Sequence, residues 1–427
     1  MSGSRRFRKF LISTLLITIL SVSILAIYTV YSSMNKPKVD PGAYVGVAFS
    51  GNSTQQAKLL IDRVKSYTNL FVLASGRNPI SANQTVIEEI CDYAVANGLS
   101  VIMNLGWREF AIENQSWFWR QPSLVPIEQN WTQRWGDRLL GVYYNDEIGG
   151  VQLDANWTAF FKANGPKMNL INDTGIQDMY QVYLKEQSLA ANGAKPSNYD
   201  LEANFFVNDC VRGDRGLGEL SSAGFRTFTS DYGLYWWNYL GGYDTMFAEL
   251  GWNNSVAEQI ALVKGAARLQ DKDWGAMITW KYSSAPYLDS ADAIYNQMLT
   301  SYEAGAKYIA VFDYPYVSGN SYGVLTDAQF SAMQWFWNDI SQGRYVDKSA
   351  PLAALVLPHN YGYGLRWPDD TIWGFWPADE KSPQVWSAVN TMLDRYGVNL
   401  DIVFEDEAYP VTNGYYQNVY FWNQTLA

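Results

Sequence analysis

The sequence predicts a (β/α)8 barrel followed by a short α/β domain, and two observations support this prediction. Short apolar strands repeatedly follow helices that end at a glycine, as in AVANG before LSVIMNLGW and EAGAK before YIAVFDYPY. Strands that alternate with helices indicate a parallel sheet, and a glycine just past a helix end is a common stop. Eight such strands fit into about 300 residues, which is the size of a (β/α)8 barrel.

The predicted barrel strands are short apolar runs. In chain order they are Tyr44–Phe49, Leu70–Ala74, Val101–Leu105, Leu140–Asn145, Phe225–Thr229, Thr245–Leu250, Ala276–Trp280 and Tyr308–Phe312. Helices are predicted between most of them, among them Val256–Leu269 and Ala291–Ala304. The segment Asn204–Asp209 is a competing strand, which we interpret instead as part of a long insertion between the fourth and fifth strands.

A second domain is predicted after Asp347, where the pattern restarts. Strands over Leu352–Leu357 and Leu400–Phe404 flank a helix over Ser382–Tyr396, as at the start of a flavodoxin-like domain. We therefore divide the chain into a signal anchor and linker (residues 1–36), the barrel (residues 42–345) and a C-terminal α/β domain (residues 350–427).

The N-terminus predicts a membrane anchor. Four basic residues within positions 5–9 precede Leu11–Tyr31, a mostly apolar run without charge. Such a run can cross a bilayer as a helix, and the basic flank predicts that the rest of the chain lies outside the cytoplasm. A cleaved signal peptide is the alternative, although no small-x-small site follows closely.

Eight glycosylation sequons agree with an extracytoplasmic location, at Asn52, Asn83, Asn114, Asn130, Asn156, Asn172, Asn253 and Asn423.

The composition excludes several kinds of chemistry. The chain has one histidine, His359, and two cysteines, Cys91 and Cys210. A Ser-His-Asp triad, a Cys-His pair or a multi-histidine zinc site is therefore hard to build. The net charge is −11 and no basic stripe follows the N-terminus, so we do not expect nucleic acid as a partner. Carboxylates are the candidates that remain.

The fourth predicted strand ends in the most informative motif, LLGVYYNDEIGG over residues 139–150. Side chains alternate along a strand, so Tyr143, Asn145 and Glu147 share the side that we expect to face the barrel axis. Asp146 is then expected to point away, unless a bulge turns it inward. Glu147 is therefore the better catalytic candidate, and Asp146 the better supporting group.

Other strand ends supply further polar and aromatic side chains. Because the C-terminal ends of barrel strands meet at one mouth, we expect these side chains to form one site. Glu249 and Asp231 are the candidate partner carboxylates. The candidate substrate-binding residues are Asn104, Trp107, Tyr143, Asn145, Tyr232, Trp236, Trp280, Lys281 and Asp313. The aromatic segment Ser230–Asp244 predicts either a stacking wall for sugars or a buried plug.

The motifs resemble those of glycoside hydrolases with a (β/α)8 barrel. GVYYNDEIGG, TWKY and AGAKYIAVFDYP look like the ends of strands four, seven and eight in such enzymes. The pieces AALVLP and GVNLDIVFED are similar to the glutamine-amidotransferase-like domain that follows the barrel in some of them. The resemblance covers most of residues 42–410. One departure concerns strand seven, which ends in Trp280-Lys281 where the large clan of these enzymes has a glutamate.

The leading hypothesis is a membrane-anchored, extracytoplasmic glycoside hydrolase with a carbohydrate substrate and no cofactor. Glu147 would be the acid/base, and Glu249 or Asp231 its partner, because paired carboxylates at a barrel mouth can cleave glycosidic bonds. The first alternative is a non-catalytic carbohydrate-binding or surface protein on a degenerate barrel. The second is a polysaccharide-modifying enzyme with a divalent metal on Asp146, Glu147 and Asp231.

Overall fold

A computed structural model describes residues 41–74, 80, 83–104, 108–111, 116–119, 125–155, 196–317, 319–345, 351–411 and 414–424, with isolated positions between 159 and 189. Residues Gly42–Trp337 and Val346–Ala427 belong to one compact unit. A second unit comprises Met1–Pro41 and Asn338–Tyr345. Of this unit the structure describes Pro41, the end of a helix and the turn that follows it.

Thirteen strands lie in the described residues and are numbered in chain order. They are β1 (Tyr44–Phe49), β2 (Leu70–Leu73), β3 (Ser100–Asn104), β4 (Arg108–Ala111), β5 (Ser116–Trp119), β6 (Leu139–Tyr143), β7 (Thr227–Asp231), β8 (Thr245–Leu250), β9 (Asp273–Ile278), β10 (Tyr308–Asp313), β11 (Ala353–Leu357), β12 (Leu400–Phe404) and β13 (Asn418–Phe421).

Eight of these strands close into a parallel barrel, which confirms the predicted barrel. Their order is β1-β10-β9-β8-β7-β6-β3-β2, so β10 pairs with β1 and closes the ring. The strands β4 and β5 form a separate antiparallel pair in the segment between β3 and β6. Ten side chains fill the barrel interior as one cluster: Ala48, Leu70, Val72, Ile102, Tyr143, Phe228, Phe247, Met277, Tyr308 and Ala310.

Helices follow most barrel strands. The described α-helices are Thr54–Val64, Gln84–Ala96, Val125–Trp135, Ile148–Asp154, Asp200–Phe205, Arg215–Ser222, Tyr235–Gly241, Val256–Leu269, Ala291–Glu303, Asp327–Ser341 and Ser382–Tyr396. Short side chains cap five of the described helices by accepting the N–H group of the third helical residue, which satisfies an otherwise unpaired donor. These caps are Ser53, Asn83, Asp214, Ser255 and Ser290.

The C-terminal part is a three-stranded parallel sheet in the order β12-β11-β13, with the helix Ser382–Tyr396 packed against it. Its resemblance to a glutamine-amidotransferase-like domain stays a prediction. The barrel helix Val256–Leu269 also packs on this sheet, with Gly265 where a side chain would collide with the backbone of Ile402. Lys264 and Arg268 of this helix both pair with the buried carboxylate of Asp401.

The predicted anchor, Leu11–Tyr31, lies outside the described residues. Among the helices that the structure describes, none is long and apolar enough to cross a bilayer. Membrane attachment and an extracytoplasmic location therefore stay predictions. Cys91 and Cys210 are both free thiols, and neither is exposed.

Candidate active site

The motif after β6 forms a turn with unusual backbone geometry. Asn145 and Glu147 both adopt left-handed conformations, with φ of 58° and 52°. Each such residue costs about 1–2 kcal/mol relative to ordinary backbone, so two within three residues require support from the surroundings. The strand ends at Tyr143, and the left-handed residues interrupt the alternation of side chains. For this reason Asp146 does not point away, as simple alternation predicted, but turns towards Tyr143 and Ser230.

Asp231 at the end of β7 stabilises this turn through hydrogen bonds. Its carboxylate oxygens accept the backbone N–H groups of Gly149 and Gly150 at 2.6 and 2.8 Å. Only glycines allow this approach, because a Cβ on Gly149 would lie 2.8 Å from Asp231 Oδ2 and one on Gly150 would lie 2.1 Å from the ring of Tyr232. Asp231 is fully buried, and burial raises its pKa to about 7 although the two N–H groups lower it. Its carboxylate therefore fixes the turn and does not open to the mouth, where the sequence had placed it.

A second buried carboxylate, Asp214, supports the turn from another side. The hydroxyl of Tyr144 donates to Asp214 at 2.9 Å, and the amide of Asn145 donates to it at 3.3 Å. Asp214 also caps the helix Arg215–Ser222 by accepting two of its backbone N–H groups. The turn is thus connected to two neighbouring segments by hydrogen bonds, which gives the strained backbone its support.

Four side chains meet at the mouth through hydroxyl groups. The Ser230 hydroxyl lies 2.8 Å from Asp146 Oδ1 and 2.5 Å from Glu249 Oε1. The Tyr143 hydroxyl lies 2.6 Å from Ser230 Oγ and donates to Asp146. Tyr143, Ser230 and Glu249 are buried, whereas Asp146 is exposed and Glu147 is half-buried. The cluster therefore reaches from the barrel interior to its surface.

The electrostatics of the cluster separate its carboxylates. Burial, together with the charges of Glu147 and Asp146, raises the pKa of Glu249 well above its ordinary value, while the Ser230 hydrogen bond lowers it. Burial and the charge of Asp146 also raise the pKa of Tyr143, so the phenol keeps its proton. Carboxylates this close cannot all be ionised, and the most buried one keeps a proton most easily.

Proton counting gives one consistent hydrogen-bond arrangement. The Ser230 hydroxyl has a single proton and cannot donate to both carboxylates. If Glu249 is protonated, it donates to Ser230, which donates to Asp146, and Tyr143 also donates to Asp146. Every oxygen in the chain then has a partner, with Asp146 ionised. The cluster can therefore hold one transferable proton beside a carboxylate anion.

Several other predicted residues lie around the same end of the barrel. Asn104 is buried and pairs in register with Tyr143 on the neighbouring strand. Trp280 follows β9 and packs against Phe312 and Tyr314. Lys281 is half-buried, and the charges that act most strongly on the pKa of Glu249 are those of Glu147 and Asp146. Trp107 lies outside the described residues.

Three predicted residues point elsewhere. Trp236 is buried against Phe404 and Tyr409 of the C-terminal part, so the segment around it is the buried plug among the two alternatives. The hydroxyl of Tyr232 donates to Asp154 on the helix after the turn. Asp313 is buried, and burial raises its pKa to about 7 against the backbone hydrogen bonds of Val324 and Tyr314.

Sequence reasoning missed Ser230, which contacts both Asp146 and Glu249. Ser230 lies between Thr229 and Asp231, and only the inward direction of Phe228 on the same strand would have indicated it. Among the described residues, no group of three or more acids, cysteines and histidines is placed to hold a metal ion.

Comparison with known proteins supports the fold. No protein-family model matches the sequence, and a search of curated proteins finds no match. The structure is similar to a β-galactosidase from the psychrophilic Marinomonas ef1, with a TM-score of 0.50, 11% identity, and coverage of 88% of this chain and 72% of that chain. The β-galactosidase from Rahnella sp. R3 gives a TM-score of 0.51 and 10% identity, with coverage of 90% of this chain and 68% of that chain. An exo-β-1,4-mannosidase from Opitutaceae bacterium strain TAV5 gives a TM-score of 0.47 and 11% identity, with coverage of 89% of this chain and 72% of that chain. The TM-scores of the two β-galactosidases indicate a shared fold and, at 10–11% identity, no more.

Proposed function

We propose that this protein is a glycoside hydrolase that uses carboxylates at the C-terminal mouth of its barrel. The observation that carries the proposal is the bridged cluster of Asp146, Ser230 and Glu249, with Glu147 beside it. Glycoside hydrolysis needs one protonated and one ionised carboxylate on either side of the scissile bond. The similarity in fold to structures named as β-galactosidases supports this choice over other barrel chemistries.

The roles follow from the environments of the acids. The raised pKa of Glu249 supports it as the proton donor to the leaving oxygen, because it keeps its proton near neutral pH. Glu147 and Asp146 then supply the carboxylate that attacks the anomeric carbon or activates water. This differs from the sequence-based assignment, in which Glu147 was the acid/base. Asp231 is given a supporting role, since its oxygens hold Gly149 and Gly150.

The test is a hydrolysis screen of the purified protein against a broad glycan panel, with Glu249→Gln and Glu147→Gln. Each amide keeps the size of the side chain and loses the reactive carboxyl, so each rate should fall by about 10²–10⁴. Glu258→Gln is the matched control, because Glu258 is also buried with a raised pKa but lies on the helix Val256–Leu269. A folded wild type that binds glycans and cleaves none would support the carbohydrate-binding alternative instead.

We also propose that residues 11–31 anchor the protein in a membrane with the barrel outside the cytoplasm. The support is the uncharged run behind the basic residues. External protease added to intact cells should digest the barrel. A barrel that is degraded only after the cells are opened would refute this orientation.

A further inference from the structure

An aromatic strip crosses the mouth on the side of β9 and β10. It consists of Trp280, Phe312, Tyr314 and Tyr316. Phe312 and Tyr314 are stacked with centroids 6.4 Å apart, and Tyr314 and Tyr316 are 4.8 Å apart. Trp280 packs beside Phe312 and Tyr314 at 5.4 and 5.3 Å. The strip is therefore continuous.

In the sequence FDYPY over residues 312–316, every second residue is aromatic. Phe312 lies in β10, Tyr314 directly follows the strand, and Pro315 and Tyr316 belong to a turn. The contacts between the rings, and not strand alternation alone, bring them together. The residues between them, Asp313 and Pro315, are buried on the other side. Asp313 accepts backbone hydrogen bonds there, and a Cβ on Gly323 would lie 2.4 Å from its Oδ1. This close packing fixes the segment that carries the rings.

The strip begins two strands away from the candidate acid, one inward-facing residue closer to the rim, and ends in solvent. Glu249 pairs in register with Met277, and Met277 pairs with Ala310. Phe312 is the next inward-facing residue after Ala310 and packs on the interior cluster. Exposure then increases along the segment, since Phe312 and Tyr314 are half-buried and Tyr316 is 42% exposed. The rings thus lead from the level of the carboxylates to the rim.

We propose that this strip stacks against successive units of a neutral glycan chain that leaves the mouth over β9 and β10. The inference rests on the proposed function and adds to it that the substrate is an oligo- or polysaccharide and not a single terminal sugar. Aromatic faces with a polar edge suit sugar rings, which have apolar faces and hydroxyl edges. A row of rings that reaches the surface is also what an extended ligand needs.

The charge of the mouth favours a neutral chain over an acidic one. Asp146, Glu147 and Glu249 act on one another at the same mouth, and the whole chain carries a net charge of −11. Uronic acid units would bring further negative charge next to these carboxylates, where repulsion is strong because the site is partly buried. Neutral hexose or pentose units avoid this repulsion.

The experiment measures binding separately from cleavage. Calorimetric titrations use the full chain carrying Glu249→Gln, with Glu147→Gln as a second inactive background. The probes are cello-, manno-, xylo- and laminari-oligosaccharides of two to six units, with oligogalacturonides as the acidic series.

Tyr316→Ala should weaken binding of the longest neutral probe by about tenfold and leave the shortest unchanged. Tyr316→Phe keeps the ring and should retain the affinity. Tyr415→Ala is the control, because Tyr415 is 58% exposed and lies just before β13.

The outcomes separate the two proposals. If Tyr316→Ala binds every oligosaccharide length as tightly as its parent, the proposed role of the strip is wrong, even if the wild type cleaves glycans. Length-dependent binding that Tyr316→Ala abolishes, in a wild type that cleaves nothing, would support the strip and reject the hydrolase. Tighter binding of oligogalacturonides would overturn the neutral substrate class. No binding of any probe would overturn the inference as a whole.

Discussion

The hydroxyl of Ser230 lies 2.5 Å from Oε1 of Glu249 and connects this buried acid to the exposed Asp146. The contact is the route by which the charge state of one carboxylate affects the other. It also restrains Glu249, whose pKa burial raises and the Ser230 hydrogen bond lowers. The Ser230 hydroxyl therefore contributes to the pH range over which Glu249 can give up a proton, alongside burial and the charges of Glu147 and Asp146.

Ser230→Ala should shift the alkaline limb of the activity profile to higher pH. Once Glu249 is ionised, the Ser230 hydroxyl donates to it, and this charge-assisted bond lowers its pKa. Without the bond the pKa rises further, and an acid is lost as pH rises through its pKa. The rate at the optimum should also fall, because Asp146 loses the Ser230 donor. The measurement is kcat against pH on a glycan that the wild type cleaves. Ser301→Ala, a buried serine on an outer helix, is the control and should leave the profile unchanged. A shift to lower pH would contradict the assignment of Glu249 as the acid.

Gly150→Ala should disable the site by displacing the turn. The added Cβ would lie 2.1–2.5 Å from the ring of Tyr232, so the backbone has to move away from Asp231. We expect the rate to fall at least tenfold and the free energy of unfolding to fall by about 1–3 kcal/mol. Activity assays and urea denaturation check both.

The control for this change is Gly218→Ala on the helix Arg215–Ser222. No heavy atom lies within 4 Å of a Cβ placed on Gly218, and the residue is exposed. Alanine there should stabilise the helix by up to about 1 kcal/mol. If both variants keep full activity, the close approach of Gly150 to Asp231 is not needed for the site.

Glu258→Gln should remove a pH dependence of stability. Burial raises the pKa of Glu258 from 4.5 to about 8, so the folded protein holds this proton more tightly than the unfolded chain. Wild-type stability is then fully present below about pH 4.5 and decreases as pH rises to about 8, by about 1.4 kcal/mol per pH unit from this group. The difference in unfolding free energy between variant and wild type, measured across this range, should grow in favour of the glutamine. A constant difference would contradict the raised pKa.

The sequence predicted which strands exist better than which side chains face inward. β1 and β8 were predicted with the bounds that they have, because their apolar runs end at clear turn residues. β7 was predicted two residues early, over Phe225–Thr229. Its inward face was also misread, since Phe228 and Ser230 face the interior and Asp231 does not. Barrel strands are buried on both faces, so the alternation of polar and apolar residues that marks a surface strand is lost.

The direction of Asp146 was beyond sequence reasoning for a different reason. Nothing in NDE indicates that both Asn145 and Glu147 adopt left-handed conformations. Their geometry depends on Asp214 and Asp231, which are far away in the sequence and close only in the fold. A strained turn held by distant partners is therefore visible only in the structure, whereas the carboxylates that it carries were identified from the motif.

Lys264→Met should destabilise the contact between the barrel and the C-terminal sheet. Lys264 Nζ lies 3.1 Å from Asp401 Oδ1, and both side chains are almost completely buried. Removing one partner of a buried ion pair costs about 3–5 kcal/mol, because the other charge stays buried. We expect a loss towards the lower end, since Arg268 and the Tyr416 hydroxyl still contact Asp401 at 2.8 and 3.0 Å. Arg268→Met, on a partly exposed side chain, should cost less.

In the double variant Lys264→Met/Asp401→Leu, no unpaired charge is left from this pair, so most of the stability should return. Urea denaturation of Lys264→Met, Asp401→Leu and the double variant gives the coupling energy. Additive losses in the double variant would show that the pair does not act as a unit.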